Sequence, residues 1–417
     1  MRVHFVGING VSMQFLASLC RARGVEVSGS DIATGGHKAS NVVGADAVVY
    51  SYAISAENVE IVEAKRLGIP LFSRAQLLGA LSDTFGEVVA ISGTHGKTTT
   101  TAMMGATLGY LNPTCHVGGS VNGVFGNIGE SSLFITEACE YRESFLSLAP
   151  DCAVVLNVEL DHADYYSSYQ RFYAAFEKFT AKSKTALVCG DNEAKTLKGR
   201  ERTYTFGLSP INDYYAHIVG ELNGYYTFEA CFRGEKFADI TLSVRGEHNV
   251  LNAMSVIAYC HLTGKDFSAI RNFAGVDRRF ESLCKIGSTE IISDYAHHPH
   301  EIECTLELAK KIYRSVFAVF EPHTYTRTAA FCKEFASALS IADECLLVPI
   351  YPAREAPIPG VASSLIAKRG GFMEAQSYSE AQKILTRNIG EYDCVLFMGA
   401  GTVDDFARRF VSVYKNL

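Results

Sequence analysis

No run of about twenty apolar residues occurs in this 417-residue chain, so a membrane-spanning helix is not expected. Positive charge is not in surplus either: 38 Lys and Arg face 45 Asp and Glu, a formal charge of -7. A nonspecific grip on nucleic acid or an anionic membrane needs the opposite balance, so neither is an expected partner and anionic substrates must be held by local sites. Twelve cysteines are present without a CxxC pair, and Cys20, Cys152, Cys260 and Cys394 lie inside apolar runs where a small hydrophobe would serve. This excludes a disulfide framework and suggests a reduced, cytoplasmic protein. No signal-peptide pattern precedes the first strand pattern, Val3 to Ile8, as expected of a soluble protein that is not exported. Internal repeats and low-complexity tracts are likewise missing.

The length exceeds what one hydrophobic core serves, and three segments separate: 1–84, 85–276 and 277–417. The first begins with a strand, a turn holding Gly7, Asn9 and Gly10, an apolar helix from Met13 to Cys20, and a strand from Val25 that ends at Ser30 and Asp31. That order is Rossmann-like, but the third glycine of a dinucleotide fingerprint is missing, so NAD is not expected. The second alternates strands (Leu133 to Thr136, Ala153 to Asn157, Ala186 to Cys189) with helical stretches, then turns to short alternating runs from Tyr204 to Leu242 that suggest a small antiparallel insertion. The third again alternates, with strands at Ile291 to Ser293, Phe317 to Phe320, Cys345 to Pro349 and Val395 to Met398. The expected fold is α/β with three domains: a Rossmann-like N-terminal domain, a central P-loop ATPase domain on a mostly parallel sheet, and a C-terminal Rossmann-like domain.

The run SGTHGKTTTT, Ser92 to Thr101, follows a short apolar strand and opens a helix, the context of a phosphate-binding loop. Gly93 and Gly96 let backbone amides (Thr94, His95, Thr99 among them) curl around an anion, Lys97 brings a positive charge, and the Thr98 hydroxyl is suited to Mg²⁺. Ile91 stands where the first glycine of the usual GxxxxGK[ST] would be, so the loop is a shorter GxxGKT form. A nucleotide triphosphate with Mg²⁺ is the expected ligand.

Two clusters follow strands of the second segment, TEACEYRESF and NVELDHADYY. Glu137 and His162 are suited to share a hard cation with Thr98; the alternative is that Asp161 and His162 cap the next helix and Glu137 faces solvent. The helix GEHNVLNAMSVIAYC carries His248, Asn249 and Asn252 near its start, groups able to meet an adenine or merely to cap and solvate the helix. DRRFE puts Arg278 and Arg279 at the start of the third segment, where an arginine could reach a γ-phosphate or serve as plain surface charge. SDYAHHPHE and FEPHTYTRT hold Asp294, His297, His298, His300, His323 and Arg327 at strand ends, a pattern open to a metal, a substrate pocket or, through Pro299, a helix start.

Taken in order, HFVGI, GTHGKTTTT, EACEYRESF, NVELDH, HNVLNA, RRFE, DYAHHP and FEPHTYTRT resemble the motifs of the ATP-dependent muramyl ligases over nearly the whole chain. His95 and the HHP and PHxYxRT loops resemble the branch that adds L-alanine to UDP-N-acetylmuramate. The resemblance implies a UDP-sugar domain, an ATPase domain and an amino-acid domain, cofactors ATP and Mg²⁺, and an acyl-phosphate mechanism in a monomer or homodimer. It assigns Gly7, Asn9, Gly10, Val11, Ser30 and Asp31 to the UDP-sugar; Gly93 to Thr99, His248, Asn249, Asn252, Arg279 and Asp294 to ATP; and Thr98, Glu137 and His162 to the metal. Tyr295, His297, His323 and Arg327 fall to the amino acid, with Lys97, His162, Arg279 and His297 catalytic and His297 the candidate base. Three departures stand out: the chain passes almost directly from Asp31 to Gly35, where the family has another helix and strand; Thr324 replaces a frequent Arg, leaving Arg327 or Arg354 for the carboxylate; and Glu177 lies near the place of a carbamylated lysine. A recycling ligase that adds a whole tripeptide and a non-catalytic nucleotide-binding regulator are the competing readings.

Overall fold

The computed structural model describes residues 1–121, 123–124, 126–162, 165–353 and 355–415. Contacts divide these residues into two compact units, one essentially 1–276 and the other 277 onward. Among the described residues, no helix is long and apolar enough to cross a membrane, and all twelve cysteines are free thiols.

The first unit opens with β1 (Arg2–Val6), α1 (Val11–Ala22), β2 (Glu26–Ser30), β3 (Ala47–Tyr50), α2 (Val59–Leu67), β4 (Leu71–Ser73) and α3 (Arg74–Ser82). The four strands form a parallel sheet in the order β2-β1-β3-β4. The apolar face of α1 (Met13, Leu16, Ala17, Cys20) is buried, and Ser73 with Gln76 closes a capping box at the start of α3.

It continues with β5 (Glu87–Ser92), α4 (Lys97–Thr107), β6 (Thr114–His116), β7 (Leu133–Glu137), β8 (Cys152–Val155), α5 (Tyr169–Lys182) and β9 (Thr185–Cys189). Then come β10 (Arg202–Gly207), β11 (Tyr214–Leu222), β12 (Tyr225–Phe232), β13 (Glu235–Arg245) and α6 (Glu247–Thr263). These strands make one nine-stranded sheet, β13-β12-β11-β10-β9-β8-β5-β7-β6. Strand side chains alternate faces, and the near-continuous apolar runs serve two cores. Val89, Ile91 and Val154 pack with α4 and α6, whereas Val88, Ala90 and Val155 pack with α5 and with Phe15 and Leu19 of α1. The antiparallel insertion is narrower than the alternating runs suggest: β12 and β13 form the hairpin, but β10 pairs in parallel with both β9 and β11. Asp213 holds the β10–β11 link by accepting the Thr205 amide at 3.0 Å, and a period-two pattern does not tell parallel from antiparallel.

The second unit contains β14 (Glu281–Ile286), β15 (Thr289–Asp294), α7 (Pro299–Ile312), β16 (Val316–Phe320), α8 (Tyr325–Ala330), α9 (Cys332–Leu339) and β17 (Glu344–Leu347). After these come α10 (Ser364–Gly370), β18 (Met373–Glu374), α11 (Tyr378–Asn388), β19 (Cys394–Met398) and α12 (Val403–Lys415). The order β14-β15-β19-β16-β17-β18 is parallel except for the β14 edge. Ile292, Ala318 and Leu396 face α7 and α9, while Ile291, Phe317 and Phe397 face α11 and α12. The result is a doubly wound layer whose strand ends carry the DYAHHP and PHTYTRT loops.

Candidate active site

The phosphate loop joins β5 to α4. Gly93 (φ 141°) and Gly96 (φ 84°) take backbone that L side chains rarely adopt, and α4 starts at Gly96 without any side-chain cap. Its first amides are therefore available to an anion, and the helix dipole favours one there. A side chain at Gly96 would also be blocked, since a Cβ would lie 2.9 Å from Asn252 Oδ1. The loop is pinned to the segment after β8. The Asn157 side chain accepts from the His95 amide (2.8 Å) and donates to the His95 carbonyl (3.1 Å), while the Thr94 hydroxyl exchanges hydrogen bonds with the Glu159 backbone. The His95 ring lies 3.4 Å from Glu159.

Lys97 turns back into this loop. Its Nζ donates to the carbonyls of Gly93 and Thr94 and lies 3.0 Å from the carboxylate of Glu140, a side chain only 1% exposed. Burial alone would lower the lysine pKa, but Glu140 and, more weakly, Cys139 and Glu137 outweigh it, and the ammonium is held charged above the ordinary lysine value. Burial likewise opposes ionisation of Glu140, yet Lys97 and His162 hold its carboxyl below the usual range. His162 Nε2 is 3.4 Å from Glu140 Oε1, and its ring packs 4.7 Å from that of Tyr141. The Tyr166 hydroxyl donates to the Glu140 carbonyl.

Glu137 sits at the end of β7, where its carboxylate accepts the Gly118 amide at 2.6 Å. A Cβ on Gly118 would lie 2.6 Å from Glu137 Oε2, and one on Gly119 would lie 2.8 Å from the Thr98 methyl, so two glycines let one segment approach both groups. Thr98, Glu137 and His162 offer oxygen and nitrogen donors of the kind Mg²⁺ accepts, and His162, like Lys97, lies against Glu140. Capping does not account for Asp161 and His162, because α5 starts later, capped by Ser168. His162 (φ 55°), Arg142 (φ 51°) and Glu143 (φ 56°) hold left-handed backbone without being glycine, strain that gathers at these loops.

On α6, Asn249 and Asn252 are buried: Asn249 donates to the Arg245 carbonyl and Asn252 to Asn249. They back the phosphate loop, whereas His248 is exposed. In the N-terminal sheet, Gly7 and Ile8 donate to the Ser30 carbonyl, and α1 begins at Gly10 with no side-chain cap, so the amides of Val11 and its neighbours form a second anion-ready helix start. Ser30 is buried and Asp31 is half-buried, and both are engaged within the fold. The Ser30 hydroxyl donates to fully buried Glu60, beside His4 and His37, and the Asp31 carboxylate accepts from the amides of Asn9 and Ala33. A relay missed by sequence reasoning joins this domain to the central sheet: Arg74 donates to Ser12, which bonds His116, which bonds Thr136. Glu177 is on the exposed face of α5, away from its buried side chains.

In the second unit the two arginines separate. Arg278 (φ 60°) donates to the carbonyls of Gly399 (2.7 Å) and Gly401 (3.2 Å), while Arg279 stacks over Tyr295, 5.0 Å from the ring centre, with no ion pair among the described residues. Asp294 is buried and accepts from the amides of Phe280 and Ala296, both at 2.7 Å; burial raises its pKa against the pull of Arg279. His297 Nδ1 bonds the Tyr295 carbonyl at 3.0 Å, its ring faces Tyr295 at 5.2 Å and His323 at 5.6 Å, and burial lowers its pKa. Burial, with His297 and Arg327 nearby, takes His323 down to about 4. For both rings burial disfavours the protonated form. His298 instead packs edge-on to Phe331, His300 is exposed, and Pro299 opens α7, so the loop is a helix start. No cluster of three metal-ligating acids, cysteines or histidines occurs among the described residues. Arg354 lies outside them.

The comparisons with known proteins agree along the chain. Three family profiles match in succession: "Mur ligase family, catalytic domain" over residues 2–85, "Mur ligase middle domain" over 91–260 and "Mur ligase, glutamate ligase domain" over 278–401. The chain is 37% identical to a UDP-N-acetylmuramate--L-alanine ligase of Caldanaerobacter subterraneus subsp. tengcongensis, an alignment that spans 99% of this chain and 98% of that one. A protein of the same name from Alkaliphilus metalliredigens is 36% identical over 96% and 95% of the two chains. The crystal structure of UDP-N-acetylmuramate-alanine ligase from Thermotoga maritima is similar with a TM-score of 0.84 and 28% identity, covering 100% of this chain and 99% of that one. A murein peptide ligase from Psychrobacter arcticus shares the fold at a TM-score of 0.71 and 23% identity over 100% and 99%.

Proposed function

The chain belongs to the Mur ligase family, and we propose that it joins L-alanine to the lactyl carboxylate of UDP-N-acetylmuramate with cleavage of ATP, the first peptide step of peptidoglycan precursor synthesis in the cytoplasm. The observation that carries this reading is the uncapped start of α4 with Lys97 held over it, in a chain similar from end to end to ligases of that name. Residues 1–84 would hold the UDP-sugar, 85–276 ATP and 277–417 the amino acid.

The carboxylate attacks the γ-phosphorus of ATP, ADP leaves, and the neutral amine of L-alanine displaces phosphate from the acyl phosphate to form the amide. Such a phosphoryl transfer needs positioning and charge neutralisation more than covalent help. Amides of the Gly93–Thr99 loop bind the phosphates, and Lys97 offsets the charge that develops on the transferred group; the family resemblance assigns Arg279 to ATP as well. Thr98, Glu137 and His162 would hold Mg²⁺, which would supply Lewis-acid stabilisation of phosphate charge. Arg327 binds the alanine carboxylate, and His297, with Nδ1 engaged by the Tyr295 carbonyl, keeps Nε2 as the lone pair that takes a proton from the amine. Tyr295 and His323 wall that pocket. The higher TM-score to the alanine ligase than to the murein peptide ligase favours a single amino acid over a tripeptide as acceptor.

Phosphate release measured with each component left out in turn tests the reading. Turnover is expected only with ATP, UDP-N-acetylmuramate and L-alanine together, and to be lost in Lys97→Ala. Turnover with the tripeptide but not L-alanine would move the assignment to the recycling ligase, and an unimpaired Lys97→Ala protein would overturn the mechanism.

A further inference from the structure

Glu140 has no part in the reaction just described, yet it is the most deeply buried charge beside the phosphate loop, 1% exposed. One carboxylate meets two functional side chains: Lys97 Nζ at 3.0 Å and His162 Nε2 at 3.4 Å. Among the described residues Asp161 also lies near that imidazole nitrogen, 3.9 Å away, and it spends its other oxygen on the His162 amide. Glu140 is itself held at its carbonyl by the Tyr166 hydroxyl and the Glu143 amide, and Tyr166 is 2% exposed. The His162 ring is fixed from the other directions by Tyr141, 4.7 Å away, and by a left-handed backbone that few side chains tolerate.

An ionised carboxylate only accepts, so the imidazole nitrogen beside it must carry the proton. We propose that Glu140 is a positioning residue: it fixes His162 as the Nε2–H tautomer, which leaves the Nδ1 lone pair for the cation, and it anchors Lys97 with the same carboxylate. The metal half of this rests on the function proposed above; the tautomer does not. A carboxylate behind a ligating histidine is a common outer-shell arrangement, because it sets the ring's orientation and raises the basicity of the ligating nitrogen. Here the same group also holds the phosphate-loop lysine, so the two positive elements of the site share one anchor.

Glu140→Gln tests this directly. Lys97 Nζ and His162 Nε2 both approach the same oxygen, Oε1, so in the variant they share one neutral amide oxygen in place of a carboxylate. A neutral acceptor holds Nε2–H less firmly, so Nδ1–H gains population. Long-range ¹H–¹⁵N spectra of histidine-labelled protein at pH 8, without nucleotide or metal and with His162→Gln identifying the signal, are expected to show Nε2–H in the native protein and a larger share of Nδ1–H in Glu140→Gln. An Nδ1–H tautomer in the native protein overturns the proposal, and this readout needs no variant of Glu140 to fold. Mn²⁺ binding followed by electron paramagnetic resonance, with a non-hydrolysable ATP analogue present, is expected to weaken about 10–100-fold in Glu140→Gln. His162→Gln, which removes the ligand itself, should weaken it at least as much. Equal Mn²⁺ affinity in native and Glu140→Gln protein rejects the metal half for Glu140, while no Mn²⁺ binding by native protein rejects the metal site of the proposed function and leaves the tautomer result to decide for Glu140.

Discussion

At the scale of single residues, adjacent arginines of one motif have different employment. Arg278 ties the turn before β14 to two carbonyls beyond β19, and its guanidinium also lies 4.8 Å from the Tyr295 ring. Arg279 touches only that ring in the described contacts. Arg278→Ala should therefore lower stability by about 1–3 kcal/mol, the cost of leaving two partly buried carbonyls without a charged donor. Arg279→Ala should leave the unfolding midpoint within error and cut kcat/KM for ligation by about 100-fold or more, the loss expected of one charge-stabilising group. Urea melts and steady-state rates on both variants check this; a stability loss confined to Arg279→Ala would reverse the assignment. Residue types told the sequence reader that an arginine mattered, but not which, because the difference lies in carbonyls more than 120 positions away. Glu140 escaped for a similar reason. In EACEYRESF it is one of three acids, and only burial distinguishes it.

At the scale of elements, the phosphate loop depends on a support that its motif does not contain. Strand β5 delivers the loop and α4 receives it, but Asn157, after β8, closes two hydrogen bonds on the His95 backbone. Asn157→Ala removes both and leaves a backbone amide and carbonyl partly buried without partners. The expected result is a KM for ATP raised about tenfold with a smaller change in kcat, since the loop amides are misplaced while Lys97 and Glu140 stay. An unchanged KM would show that Gly93, Gly96 and the helix start hold the loop unaided. Much of this was legible: a glycine-bearing turn between an apolar strand and a threonine-rich helix says phosphate loop from local physics alone. The start of α5 was not, because Asp161 is as good a cap as Ser168 by residue type and the choice depends on how the intervening loop crosses the sheet.

At the scale of the whole molecule, buried histidines tie stability to pH. His116, which links Ser12 to Thr136 within the first unit, is pushed by burial to about 3, and His323, in the second, to about 4. Both lie below the ordinary 6.5, so the unfolded chain takes up protons that the native protein refuses. Their stabilisation is full above about pH 6.5 and is lost as pH falls toward 4 for His323 and toward 3 for His116, with a slope of about 1.4 kcal/mol per pH unit for each. Urea midpoints at pH 7, 6 and 5 should fall accordingly, and His116→Gln should flatten the fall in the first unit; an equal slope in that variant would mean the histidine is already protonated in the fold. By itself the sequence determined the alternation of strands and helices, the phosphate loop and the order of motifs, because periodicity, glycine placement and residue chemistry act within a few positions of the chain. Only the tertiary structure decided that Ser30 and Asp294 serve buried hydrogen bonds, that Asn252 backs Gly96, and that Glu140 stands between Lys97 and His162. Those outcomes depend on which groups burial strips of water and which partners long-range strand order brings within hydrogen-bonding reach, and neither is written locally.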